Sequence, residues 1–390
     1  MQRRKVSRAY SSRESIKMKL YIIGNGFDRY HGAPSSYYDF RTYLTHHNVD
    51  IIKTFDLYFG PRSLGWTLAH PILIDWYFGD FPYFHLPVPK NEWSMKWLWS
   101  DFERCLSMLN REKLMDILDV KLPNLFEDDE DFNYGDYFIT LDDISERVRL
   151  CSFEMRYQFH KWIKTLQYAK GYKRRMIELD RDALFLNFNY TEFLESVYGV
   201  AHENICYIHG SKRDKYGSLV LGHHLEEERE YEMWIHKNRN RKRNRPNLKG
   251  KNGKYFANDK LCYLAYFLDN PKKGNWRNPI RYYAVEGAME RFEGYYHESY
   301  KDTETVILQH EGFFRNLAGI KEITVIGHSL SDVDMAYFEK VVASIADIGR
   351  VRWRFSVYSK RDEQNVKRLV KRLNLPVVEN VQTFSLQPKS

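Results

Sequence analysis

A short apolar run that ends in two glycines one residue apart, "LYIIGNGFDRYHGAPSSYYDF" from Leu20 to Phe40, constrains the fold of this chain more than any other feature. A strand that stops in Gly-x-Gly turns sharply and feeds a helix whose first N–H groups are unpaired, the arrangement that cradles a pyrophosphate in open α/β sheets. The third glycine of that fingerprint is missing, because Arg29 stands in its place. Gly24, Asn25, Gly26 and Phe27 therefore read either as a nucleotide cradle or as a tight strand-to-helix turn. Asp28 caps a helix N-terminus well, yet it would repel phosphate, so its expected ligand contact is a ribose hydroxyl or a developing cation.

Apolar runs mark further strands at Ala183–Phe188, Ile205–Ile208, Leu219–Leu221, Glu322–Ile326, Val351–Tyr358 and Pro376–Val378, besides Lys19–Ile23. Helical periodicity starts at Ser100, where Phe102, Leu106 and Leu109 share a face, and recurs across Ile144–Leu166, Asp332–Ile348 and Asp362–Leu373. Strands at both ends of the chain with helices between them predict an α/β, Rossmann-like, mostly parallel sheet flanked by helices and built from distant segments. The expected organisation is one domain over residues 18–390, with a helical insertion at roughly 90–180 and a basic, mobile one at roughly 226–260. Residues 1–17 are expected to form a flexible basic arm.

With 43% hydrophobic and 16% aromatic residues over 390 positions, the chain has ample material for a buried core, which excludes a disordered protein. No apolar leader precedes the first strand, and no run of about eighteen apolar residues occurs, so a soluble, cytoplasmic protein with no membrane partner is expected. Cys105, Cys151, Cys206 and Cys262 are scattered with no CxxC pair, which suggests neither a metal site nor a disulfide framework. The net charge of +8 favours an anionic partner. Lys237–Lys254, "KNRNRKRNRPNLKGKNGK", holds nine Lys/Arg in eighteen residues and offers a nucleic-acid contact as an alternative to a solvated loop.

Polar residues cluster where strands end. Asn187 and Asn189 follow "ALFLNF", at the carboxyl end of a strand where open α/β sheets bind ligands, and His209 ends the next strand in the same way. In "ITVIGHSLSDVDMAYF", Ile323 to Phe338, the position that would complete Gly-x-Ser-x-Gly is Ser331, so Ser329 is not read as an acylated nucleophile. Gly327 instead allows close approach, while His328, Ser329 and Asp332 offer polar contacts or cap the following helix, and Asp334 reads as exposed helix surface. In "WSDFE", Ser100 and Glu103 match a capping box, and Trp99 reads as a packing residue.

Together, "LYIIGNGFDRYHGAPSSYYDF", "WSDFE", "FLNFNYTEFLE", "YIHG", "LVLGH" and "ITVIGHSLSDVDMAYF" occur in an order that resembles the bacterial abortive-infection AbiH family, from about Met18 onward. That resemblance implies a part in defence against bacteriophage, with a phage-derived trigger and with a homo-oligomer left open. The same order is similar to a remote version of the sirtuin-like NAD-cleaving fold. Gly24-Asn25-Gly26 matches its Gly-Ala-Gly loop, Gly32-Ala33-Pro34 with Asp39-Phe40-Arg41 echoes its Gly-Ile-Pro-Asp-Phe-Arg stretch, and Asn189 and His209 match its asparagine and histidine. Thr191 stands where that fold has an aspartate, Asp28 where it has a serine, and the zinc-binding cysteine pairs are absent. The resemblance implies NAD as substrate or ligand, Asn189 and His209 as catalytic residues, a cradle from Gly24 to Phe27, Arg41 as countercharge, and Gly327, His328 and Ser329 at the adenosine end. A nuclease or nucleic-acid-binding effector and a non-catalytic nucleotide sensor are the alternatives.

Overall fold

A computed structural model describes residues 18–59, 66–68, 87–89, 96, 98–109, 134–224, 279–375 and 380–386. The arm at 1–17, the basic run Lys237–Lys254 and the strand expected at Pro376–Val378 lie outside the described residues. The apolar runs assemble one parallel sheet of six strands: β1 (Lys19–Ile23), β4 (Leu184–Asn187), β5 (Ile205–Tyr207), β6 (Glu322–Ile326), β7 (Arg352–Ser356) and β8 (Val381–Phe384). A separate two-stranded ribbon pairs β2 (Trp66–Leu68) with β3 (Pro87–Pro89). Across the main sheet the order is β5-β4-β1-β6-β7-β8, so strands taken in chain order lie 3-2-1-4-5-6, the Rossmann arrangement. The order reverses between β1 and β6, where Ile23 pairs with Ile326 and both strands deliver glycine loops to the same edge.

The chain wraps both sheet faces. Leu20, Ile22, Ile323, Val325, Trp353 and Phe355 point to one face, beneath α9 (Thr303–Gln309), α10 (Glu311–Arg315), α11 (Met335–Ala343) and α12 (Lys360–Arg372). Tyr21, Ile23 and Phe185 point to the other, against Phe27 of α1 (Asn25–Tyr30) and Phe193 of α7 (Phe193–Ser196). A third core belongs to a helical body of α2 (Tyr37–His47), α3 (Val49–Tyr58), α4 (Phe102–Leu106), α5 (Tyr134–Arg149), α6 (Met155–Thr165) and α8 (Pro279–Ser299). Tyr37, Tyr190, Leu219 and Leu221 join this body to the segments that follow β4 and β5, so it covers the carboxyl edge of the sheet.

The long periodic stretch Ile144–Leu166 is helical throughout, with a π-helical turn at Leu150–Glu154 between α5 and α6. Two expectations change. Leu219–Leu221 is not a strand; it runs beside β5's exit through a single bond from Val220 N–H to the His209 carbonyl, between the positive-φ residues Gly217 and Gly222. Ser100 and Glu103 form no capping box, because α4 starts one residue later with Asp101 as N-cap and Glu103 turns into the interior.

Candidate functional site

At the point where the strand order reverses, the glycines pack against each other. A Cβ at Gly24 would sit 2.5 Å from the His328 Cα, and one at Gly327 would sit 2.2 Å from the Phe27 nitrogen. Gly24 N–H donates to Ile326, Gly26 N–H to Gly327 at 2.7 Å, and Phe27 N–H back to Gly24. These three donors are thus committed to protein carbonyls, and the close approach that the glycines permit is backbone to backbone. Asn25 closes its own loop by donating Nδ2 to the Ser35 carbonyl and accepting from the Ser35 hydroxyl. Phe27 is a core residue in contact with His31, Phe193 and Tyr198.

Beside this crevice lies a buried polar pair. Asn189 donates Nδ2 to Asp28 Oδ1 at 2.8 Å and to the Gly24 carbonyl at 3.1 Å, and Thr191 donates its hydroxyl to Asp28 Oδ2. The Asn187 side chain accepts from the Asn189 backbone, which fixes the turn after β4. Burial raises the Asp28 carboxyl to about 6, against the two side-chain donors that hold it down. The Asn189 Oδ1 atom is buried and has no hydrogen-bond partner among the described residues. An orphaned acceptor of this kind carries a desolvation cost that a ligand or water donor relieves.

His209 leaves β5 and meets an unforeseen ionic cluster. Asp334 is 6% exposed, not the helix surface that its place beyond Gly327 suggested. The short 3₁₀ turn Asp332–Asp334 swings it inward, where Oδ1 meets Lys301 Nζ at 2.8 Å and His209 Nε2 at 3.4 Å, and Oδ2 meets His328 Nε2 at 3.5 Å. Lys301, whose side chain has no solvent exposure, also reaches Glu103 Oε1 at 3.4 Å. A backbone clasp sets it there: His223 N–H donates to Ser299, and Lys301 N–H donates to His223. Among the described residues no His, Cys, Asp and Glu side chains group as metal ligands; the positive charge between the two carboxylates is the Lys301 ammonium.

These contacts define protonation. Burial lowers both His209 and His328 to about 4, with the Lys301 charge adding to it, so both rings are neutral near pH 7. His328 Nδ1 accepts the Leu330 N–H at 2.9 Å, in a loop where Leu330 takes a left-handed φ of 53°, so the His328 proton sits on Nε2 and points at Asp334. His209 Nε2 lies 3.4 Å from the same carboxylate but makes no hydrogen bond with it or with another described group. Lys301 holds Asp334 well below the usual carboxylate range, while burial pushes Glu103 above it. The Tyr37 and Tyr190 phenols stay protonated because burial and these carboxylates raise them.

Of the residues singled out in the sequence, Gly24, Asp28, Asn187, Asn189, His209, Gly327 and His328 meet at one edge of the sheet. Others do not. Arg41 forms a 2.7 Å ion pair with buried Asp56, which also receives Trp99 Nε1 at 2.6 Å, so its charge is spent inside the helical body. Ser329 is exposed, and Asp332 pairs at the surface with Arg372.

A parallel sheet in Rossmann order, with an asparagine, a histidine and a buried ion pair at its carboxyl edge, defines an α/β protein of the Rossmann-like class. The chain belongs to the family described as Bacteriophage abortive infection AbiH, whose family model matches residues 20–357. Membership places it in bacteriophage abortive infection. No curated protein and no solved structure matches the chain.

Proposed function

We propose that this chain is an abortive-infection effector that binds NAD or a related nucleotide at the carboxyl edge of its sheet and hydrolyses the nicotinamide–ribose bond. The observation that carries the reading is the pairing of a neutral His209, whose Nε2 lies 3.4 Å from Asp334, with the unpartnered Oδ1 of Asn189 on the neighbouring loop. Cleavage builds positive charge on the ribose carbon, and water adds there as nicotinamide leaves. In this reading Asn189 orients the ribose or the water, Asp28 holds the Asn189 amide, and the neutral His209 ring takes the proton while Asp334 stabilises the imidazolium. The donors of Gly24, Gly26 and Phe27 are committed to carbonyls of the β1 and β6 loops, so a pyrophosphate would take its hydrogen bonds from other groups, and the helical body that covers the edge would have to move as substrate enters. A covered site suits a toxic activity held off until infection.

The test is nicotinamide release from NAD by the full chain at several concentrations, with and without phage-infected lysate, beside Asn189→Ala and His209→Ala. Release by the wild type, reduced about a hundredfold or more in each variant, is expected. No release under any condition, or undiminished release by both variants, overturns the reading; retained NAD binding without turnover would instead make the chain a nucleotide sensor.

A further inference from the structure

One surface stripe lies away from the buried site. Residues 155–177 contain seven Lys/Arg and no carboxylate. Phe153, Tyr157, Lys161 and Lys164 follow one another at spacings of four, four and three, so they line one face of the π turn and α6. Beyond the end of α6, Lys170, Lys173 and Arg174 are exposed around the turn at Gly171. Lys164, Lys170, Lys173 and Arg174 have no ion pair among the described residues. At the other end Phe153 is 63% exposed and Tyr216 38%, their rings edge to face at 5.6 Å, with Tyr157 against Tyr216 at 5.3 Å. Glu154, next to Phe153 in the chain, accepts hydrogen bonds from Asn48 and Gln158. Phe153 stands on the π turn Leu150–Glu154, a helix distortion frequently placed at functional positions.

We infer that this stripe binds single-stranded nucleic acid, with phosphates on the cations and bases stacked on Phe153 and Tyr216. Exposed rings at one end of the stripe and unpaired cations at the other match an open strand, whose bases present their faces, better than a duplex, whose bases are already stacked. The inference is independent of the His209 site and of the Lys237–Lys254 run.

The test is fluorescence anisotropy of labelled oligo-dT and oligo-U, about twenty nucleotides long, with the full chain at several salt concentrations. Two variants are compared with wild type: Lys164→Gln/Lys170→Gln/Lys173→Gln/Arg174→Gln, and Phe153→Ala. The Lys237–Lys254 run is present in all three proteins, so its contribution cancels. The fourfold variant should weaken binding and flatten the slope of log K against log salt by about three. Phe153→Ala should weaken binding about tenfold at unchanged slope. All the altered side chains but one are exposed cations and the last is an exposed ring, so an unchanged melting temperature confirms intact folding. Affinity and slope unaltered by both variants, or equal binding of duplex and single strand, overturns the inference. So does binding to phosphatidylserine vesicles but to no oligonucleotide.

Discussion

Asp334 is the residue on which the buried charges balance, because Lys301, His209 and His328 all face its carboxylate. Asp334→Asn leaves Lys301 with Glu103 as its remaining carboxylate partner and should cost about 3–5 kcal/mol, the usual penalty for breaking a buried pair from one side. Urea denaturation measures it, and a loss under about 1 kcal/mol would mean that Glu103 alone neutralises the lysine. His209 makes a separate prediction about pH. Its folded pKa of about 4 lies below its ordinary 6.5, so between those values the unfolded chain binds a proton that the folded chain refuses. Its contribution to stability is therefore lost as pH falls through that window, by up to about 1.4 kcal/mol per pH unit. Asp28, raised to about 6 from 3.8, works in the opposite sense, since the folded chain takes that proton first. The wild-type slope is thus a difference of terms, and His209→Asn should make stability fall less steeply from pH 6.5 toward 4. An unaltered slope in denaturation at pH 7, 6 and 5 would mean that His209 is solvated.

At the scale of elements, the crossing of β1 and β6 is held by glycines rather than by side chains. Gly327→Ala would place a methyl group 2.2 Å from the Phe27 nitrogen at a φ of 66°, so the two loops must part. A loss of at least about 3 kcal/mol is expected, in the upper range for single substitutions, and a melting temperature within a degree or two of wild type would show that the loops separate freely. This crossing also explains what the sequence made legible. β1 and β6 begin and end where their apolar runs do, since a central parallel strand is buried on both faces and its hydrophobic run is uninterrupted. Gly24 and Gly327 were visible as points of close approach, although the group approached is the other loop. Helices α2 and α3 escaped notice because their starts are side-chain caps at Ser36 and Asn48 within aromatic-rich sequence that lacks a clean stripe. Lys301 had no local signal at all: nothing in "SYKDT" separates it from a surface lysine, and only the clasp with His223 takes it inside. Asp334 and Glu103 were misread for the same reason, since a capping pattern and a helix-surface pattern use the same residue types as a buried ion pair.

For the whole molecule, that ion pair joins parts that otherwise have separate cores. Glu103 belongs to the helical body, Lys301 follows α8, and Asp334 opens α11 on the sheet. The helical body and the sheet bury distinct apolar clusters, so each has its own reason to stay folded, and the Glu103–Lys301–Asp334 bridge couples them at the covered carboxyl edge. Lys301→Met keeps most of the side chain's volume while leaving two buried carboxyls to be protonated or to separate. The expected result is not uniform loss of stability but loss of coupling. By native-state hydrogen exchange, amides of α3 and α6 should open at lower free energy than those of β1 and β6, where the wild type opens them together. The same variant should release nicotinamide from NAD without infected lysate if the helical body is the cover that holds the site closed. Uniform acceleration across helices and strands would mean that the two cores unfold as one unit whatever joins them, and that the ion pair serves His209 alone.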